Sequence, residues 1–315
     1  MAEISKKPLF ILEIANNHMG DYSHGRNLIK AFNRVCQEFL DVFSFAYKLQ
    51  YRELDSFIHP RFKDRMDIKY IKRFSETRLT DEELQGLKNE AKNAGHYVIC
   101  TPFDEPSVDL IECHGFDVLK VGSCSFTDWP LIERIGKSNL PVIASTAGAT
   151  LEEIDNIVSY FGHRRKPLTL MHCVAEYPTP NHKLELNQID LLQKRYPSVP
   201  IGFSTHEEPG NTEIVKMVVA KGVRAFEKHI GLPTQQYPVN TFSAQKINHI
   251  VRYSNHSSAP AIFRLLLMAH IIGRREPGAN VIAAPPTKFF VPRSSYFMPQ
   301  DNANGLMDLG HGYGI

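Results

Sequence analysis

Tryptophan occurs once in the 315 residues and cysteine only five times. Cys36, Cys100, Cys113, Cys124 and Cys173 are odd in number and never spaced as C-x-x-C, which excludes a disulfide framework and a structural zinc knuckle. No apolar run reaches membrane-spanning length; the most apolar late segment, Ala259 to Gly273, is interrupted by Arg264 and His270. An excess of either charge is also missing. With 36 basic against 34 acidic side chains and a net charge of +2, neither a nucleic-acid wrap nor a polybasic membrane anchor is expected. The start, MAEISKKPLFILEIANNHMG, meets Glu13 and two asparagines before it could form a secretory leader, so the expected compartment is the reducing cytoplasm.

What remains is an ordinary globular composition, 43% hydrophobic and 22% charged. The length suits two average domains or one α/β barrel with a tail. Short apolar or β-branched runs alternate with longer amphipathic stretches as far as residue 229. The runs read as strands are Leu9–Ile14, Val42–Lys48, Tyr97–Thr101, Val118–Val121, Val142–Ser145, Leu168–His172, Ile201–Ser204 and Ala225–Glu227. Helical patterns lie between them, over Arg26–Phe39, Asp81–Asn93, Pro106–His114, Leu131–Lys137, Leu151–Phe161, Gln188–Arg195 and Thr212–Lys221. Thr80 with Glu83 and Thr150 with Glu153 read as capping boxes; Gly95, Gly115 and Gly222 read as left-handed stops. Strands separated by helices in this way predict a (β/α)8 TIM barrel, with a doubly wound open sheet as the structural alternative. The barrel is placed at residues 1–255. Residues 256–315 are read as a C-terminal helix followed by an irregular Pro-, Gly- and Asn-rich tail from about Arg274.

Nearly every proposed strand ends in a polar or ionisable group: Glu13, Lys48 with Gln50, Thr101, Lys120 with Ser123, Ser145, His172, Ser204 with His206, and Glu227 with His229. In a barrel these ends meet on the catalytic face. Taken one at a time, each has a structural explanation, such as a solvated lysine or a hydrogen-bonded histidine. Taken together, so many charges in one crevice without function would be costly. His206 and His229 end neighbouring strands, and two neutral imidazoles suit Mn²⁺, Fe²⁺ or Zn²⁺ with coordination positions left open; hydrogen bonding of one imidazole to a carboxylate is the alternative. Lys120, Ser123, Ser145 and Ser204 could cradle a phosphate or carboxylate. Trp129, between Asp128 and Pro130, reads as packing at a helix start.

The ordered strings LEIANNH, YKLQ, CTPFDEPSVDLI, LKVGS, PLIERIGKSNLPVIAST, HCVAEYPTP, IGFSTH and FEKHIGLP run from Leu12 to Pro233, within a match taken over about residues 8 to 250. In them the chain resembles the N-acetylneuraminate (sialic acid) synthase family. The resemblance implies a cytoplasmic barrel enzyme that condenses phosphoenolpyruvate with an N-acylated amino-hexose such as N-acetylmannosamine, giving a nine-carbon 2-keto-3-deoxy sugar acid and phosphate. It implies a divalent metal, Mn²⁺ before Mg²⁺ or Co²⁺, on His206 and His229. It puts Lys120, Ser123, Ser145 and Ser204 on the phosphate, Lys48 near the carboxylate, and Gln50, Thr101 and Tyr177 among the substrate contacts. Glu13 would lie near metal and sugar. Relatives are homodimers.

Four positions depart from the family pattern: Ser125 stands where many relatives carry an acidic residue, Ala175 replaces an asparagine, Thr205 replaces an aspartate, and Asn240 falls where aspartate is frequent. Glu13 or Asp128 is then expected to serve as the base. The antifreeze-like domain that ends full-length relatives is not recognisable after residue 260. These departures motivate a second reading, a non-catalytic descendant that binds a sugar or phosphorylated metabolite. A different metal-dependent barrel enzyme is the third.

Overall fold

The computed structural model describes residues 7–207, 211, 213–237 and 245–246. Eight parallel strands close on themselves: β1 (Leu9–Glu13), β2 (Ser44–Tyr51), β3 (Tyr97–Pro102), β4 (Val118–Val121), β5 (Val142–Ser145), β6 (Leu168–His172), β7 (Ile201–Ser204) and β8 (Ala225–Gly231). Each pairs with the next, and the ring is completed by β1 against β8, with Leu9 opposite Ala225 and Glu13 opposite His229. A short β9 (Gln245–Lys246) adds to the end of β8. The intervening helices are α1 (Tyr22–Cys36), α2 (Leu54–Phe57), α3 (Lys69–Glu76), α4 (Asp81–Asn93), α5 (Glu105–His114), α6 (Trp129–Lys137), α7 (Leu151–His163), α8 (Asn187–Arg195) and α9 (Glu213–Ala220). The closed β1–β8 pairing selects the TIM barrel over the open sheet.

The local chemistry explains why the elements start and stop where they do. Both capping boxes form, with reciprocal bonds between Thr80 and Glu83 and between Thr150 and Glu153; each is worth about 1 kcal/mol to its helix. Three caps went unread in the sequence: the Asp21, Asp104 and Asp128 carboxylates accept from the first turns of α1, α5 and α6. At the other ends Gly95, Gly115 and Gly222 have φ of 85°, 73° and 81°, which only glycine adopts without strain. Trp129 opens α6 and packs edge-on against Tyr160, ring centres 5.6 Å apart, as a structural residue would.

Two cores result. Inside the barrel Leu9, Ile11, Ala46, Ile99, Val118, Ile143, Met171 and Ala225 pack together. A larger layer between strands and helices includes Leu12, Tyr47, Val98, Leu119, Ala144, Leu170, Phe203 and Phe226. The alternation of these names along each strand is the two-residue period of a β-strand.

Three differences from the sequence reading have physical causes. β2 starts at Ser44 rather than Val42 and runs on to Tyr51, whose hydroxyl pairs with His114 Nδ1 at 2.9 Å. β8 continues past Glu227 to Gly231, carrying His229 into the ladder with β1. The stretch between β2 and α4 is not an empty loop: α2 and α3 are too short to show a clear helical period, and they close a third apolar cluster of Leu54, Ile58, Ile71 and Phe74. The 255/256 boundary, the tail and Asn240 lie outside the described residues. Among the described residues no helix is long and apolar enough to cross a membrane, and all five cysteines are free.

Candidate active site

The strand period that puts Leu9, Ile11, Ala46 and Ile99 inside the barrel also sends the next residues two positions on into its mouth. One cavity there is lined by Glu13, Lys48, Gln50, Thr101, Lys120, Ser123, Ser145, Tyr177, Ser204, His206 and His229, with Glu227, Cys124, Cys173 and Ala175 among the further contacts. All the sequence-derived candidates except Asp128 and the strand-end His172 therefore meet at one place.

Charge is arranged there as an interlocked set. Lys48 Nζ contacts the Glu13 carboxylate and lies 3.0 Å from Glu227 Oε2. Lys120 Nζ lies 3.5 Å from Glu227 Oε1 and donates to Ser145 Oγ at 2.7 Å. Ser204 Oγ donates to Glu227 Oε1 at 2.8 Å. Glu13 Oε1 accepts from the Ala15 amide at 2.8 Å and from Gln50 Nε2 at 3.2 Å. Burial pulls the Lys48 ammonium down to about 8, although Glu227 opposes it. Burial would raise the Glu227 carboxyl, but Lys120 and Lys48 outweigh it and hold that group well below the usual carboxylate range. Two cations and two anions thus balance, with Thr101 Oγ1 buried beside them and without a hydrogen-bond partner among the described residues.

His206 and His229 have ring centres 5.5 Å apart, and Tyr177 sits over His206 at 3.9 Å. Burial lowers His206 to about 3 and, with His206 and Lys48 adding to it, takes His229 well below its ordinary value. Both rings are therefore neutral at pH 7 and available as ligands. His206 Nδ1 faces the Val174 carbonyl at 3.3 Å, while His229 Nδ1 is buried with no hydrogen-bond partner among the described residues. Imidazole–metal bonds of about 2.1 Å allow ring centres on a shared ion to be up to about 6.4 Å apart, so this pair fits a divalent cation. Among the described residues no group of three or more His, Cys, Asp or Glu side chains stands where it could hold a metal ion, so a cation on this pair would take its remaining ligands from water or substrate oxygens.

Several sequence readings are corrected here. Asp128 does not line the cavity: its carboxylate accepts from the Leu131 amide at 3.4 Å and caps α6. His172 ends β6 with the wrong parity, so it points outward, bonds the Leu184 carbonyl at 2.8 Å and stacks on Phe203; Cys173, one residue on, faces the cavity. Ser125 is buried in the turn after β4 and Cys124 takes the lining position. Two residues had no role in the sequence reading. Glu227 was counted among the strand-end groups but not assigned, although its position two before His229 was the signal. Arg52 lies two beyond Gln50; its guanidinium is sandwiched between Phe103 at 3.8 Å and Phe74 at 4.3 Å and donates to Gln50 Oε1 at 2.6 Å. That bond orients the amide which in turn holds Glu13.

Fold and site together define a TIM barrel with an ion-paired mouth and two convergent imidazoles. The description of the NeuB family matches residues 45–254, and the chain belongs to that family. It is 30% identical over 228 residues to an uncharacterized protein of Methanocaldococcus jannaschii, covering 72% of this chain and 63% of that one, so it spans somewhat under two thirds of that relative. Over 234 residues it is 29% identical to the N,N'-diacetyllegionaminic acid synthase of Campylobacter jejuni, covering 72% and 68%. The crystal structure of a Chromobacterium violaceum protein, provisionally described as spore coat polysaccharide biosynthesis protein E, superposes with a TM-score of 0.78 at 53% identity, over 87% of this chain and 79% of that one.

Proposed function

We propose that this protein condenses phosphoenolpyruvate with the open-chain aldehyde of an N-acylated amino sugar, yielding a 2-keto-3-deoxy sugar acid and inorganic phosphate. The observation that carries the reading is the convergence of Lys48, Lys120, Ser145 and Ser204 around Glu227, beside the His206–His229 pair. The NeuB family membership and the Campylobacter relative's activity support it.

In this reading Lys120, Ser123, Ser145 and Ser204 receive the phosphate, and Lys48 with Gln50 receives the carboxylate. Two fixed ammonium groups and directional hydroxyls hold a small polyanion in one orientation, which makes attack of its enol carbon on the aldehyde effectively unimolecular. A divalent cation held by His206 and His229 would supply Lewis acidity at the aldehyde oxygen, where negative charge develops. Thr101 and Tyr177 close the sides of the pocket. Water then adds to C2 and phosphate leaves by C–O cleavage, so a base must take the water's proton. Glu13 is assigned that task, because it shares one ammonium group, Lys48, whereas the other lining carboxylate, Glu227, faces both Lys48 and Lys120 and accepts from Ser204.

The test is phosphate release from phosphoenolpyruvate in the presence of Mn²⁺ and a panel of aldehyde sugars that includes N-acetylmannosamine and diacetamido-dideoxy hexoses. Release that depends on one sugar, with the ketoacid product seen by mass, supports the proposal and fixes the acyl sugar. Binding of phosphoenolpyruvate without release for any sugar overturns it in favour of a metabolite-binding protein.

A further inference from the structure

Behind the imidazole pair, on the outer side of the same two strand ends, Glu207 Oε1 and Lys228 Nζ are 2.7 Å apart. Their side chains are 0% and 3% exposed. Neither lines the cavity. In the chain, Glu207 follows His206 and Lys228 precedes His229. The two-residue period that turns both histidines inward therefore turns this pair outward.

Apart from each other, neither the Glu207 oxygens nor Lys228 Nζ has a hydrogen-bond partner among the described residues. Such a pair is a poor source of stability, because taking two charges out of water offsets most of their attraction. What it can supply is a fixed spacing. Regular pairing of β7 with β8 covers Phe203 opposite Phe226 and Ser204 opposite Glu227, and the last rung is Thr205 N to the Glu227 carbonyl at 3.3 Å. The His206 carbonyl is held from the other side, by the Thr179 amide at 3.0 Å. Toward β8, the link next to His206 is Glu207 on Lys228.

We propose that the buried Glu207–Lys228 pair is a positioning clamp that sets the separation of His206 and His229 where the sheet ladder has ended. The inference rests on the reading of those two histidines as ligands of one divalent cation. Neither Glu207 nor Lys228 touches that cation; they act through the backbone of their neighbours. Groups that orient metal ligands in this way typically change metal affinity by 10–100-fold when altered.

The experiment is calorimetric titration of the metal-free full chain with Mn²⁺ alone, alongside circular dichroism and thermal unfolding of each protein. A single neutralised partner would strand a buried charge, so the informative variants are the paired Glu207→Leu/Lys228→Met, which removes both charges, and Glu207→Asp, which keeps the charge and shortens its reach. The clamp predicts wild-type dichroism for both, Mn²⁺ affinity at least tenfold weaker in the paired variant and severalfold weaker in Glu207→Asp, and affinity within about threefold of wild type in Lys228→Arg. Affinity within twofold of wild type in either informative variant, while His206→Ala/His229→Ala has lost binding, overturns the clamp and leaves the ligand reading standing. Undiminished binding by the histidine variant, or none by the wild type, overturns the ligand reading and the clamp with it.

Discussion

Lys48 Nζ lies 3.0 Å from Glu227 Oε2, and the same carboxylate faces Lys120 Nζ at 3.5 Å. One buried anion thus serves two cations, and the affinity of Lys48 for its proton is a balance between burial, which lowers it, and Glu227, which raises it. The outcome, about 8 against an ordinary 10.5, puts its charge change near the working range.

That balance sets an alkaline limb. As pH rises through about 8 the Lys48 cation is lost, and the KM for phosphoenolpyruvate is expected to climb by up to about tenfold per unit. Unfolding is not the cause. The folded pKa lies below the unfolded one, so the cost of burying this cation is fully present below pH 8 and is relieved between 8 and 10.5. Lys48→Arg, which stays charged throughout, should flatten the limb. A wild-type KM constant from pH 7 to pH 10 would show that Lys48 does not hold the anion.

Glu227→Gln tests the other side of the balance. Without the carboxylate, Lys48 loses the interaction that supports its proton, so the limb should move to lower pH. Turnover should fall about a hundredfold, since Lys120 loses its carboxylate and Lys48 keeps only Glu13, and unfolding free energy should drop by about 3–5 kcal/mol as the buried Lys120 cation goes uncompensated. A limb that stays in place, measured as KM against pH, rules out Glu227 as the counter-ion.

Asp128→Ala separates a cap from a catalyst. With the Leu131 amide as the partner of Asp128 among the described residues, the substitution should cost about 1 kcal/mol and lower the melting temperature by about 2–4 °C. KM and turnover should stay within twofold of wild type. Glu13→Gln should show the converse, a fall in turnover of at least a hundredfold that outweighs any change in KM for phosphoenolpyruvate arising through its contact with Lys48. A large loss of turnover in Asp128→Ala would return that residue to the chemistry.

Much of this site was legible because barrel topology turns sequence order into place: a polar residue ending a strand is delivered to the mouth whatever lies between. What was misread came from side-chain parity. His172 ends β6 just as His206 follows β7, yet one residue of offset sends it outward to Leu184. Asp128 was misread for a different reason, since an aspartate before Trp-Pro is an N-cap signal as much as a catalytic one. Arg52 and the helices α2 and α3 were out of reach: their role depends on Phe74 and Phe103, brought together only by the fold. The departures at Ser125 and Ala175 were visible, but not that Cys124 would take the cavity position.

The layer beneath the site gives a last test. Gly202 faces inward on β7, two residues before Ser204, and a Cβ built on it would meet Met171 Sδ at 2.2 Å and the Ala225 carbonyl oxygen at 3.0 Å. Met171 occupies the space that a side chain at 202 would need. Gly202→Ala therefore overpacks the interior and should cost about 1–3 kcal/mol in chemical unfolding. The thioether can swing aside but the carbonyl cannot, so Met171→Ala in the same chain should recover part of the loss and not all of it. Because β7 carries Ser204 and leads into His206, the strain should also reach the mouth, weakening Mn²⁺ binding in the single variant and restoring it partly in the double. Gly202→Ala with wild-type stability would mean that the interior is looser than the Met171 contact implies, and that the strand ends above it are not held by packing from below.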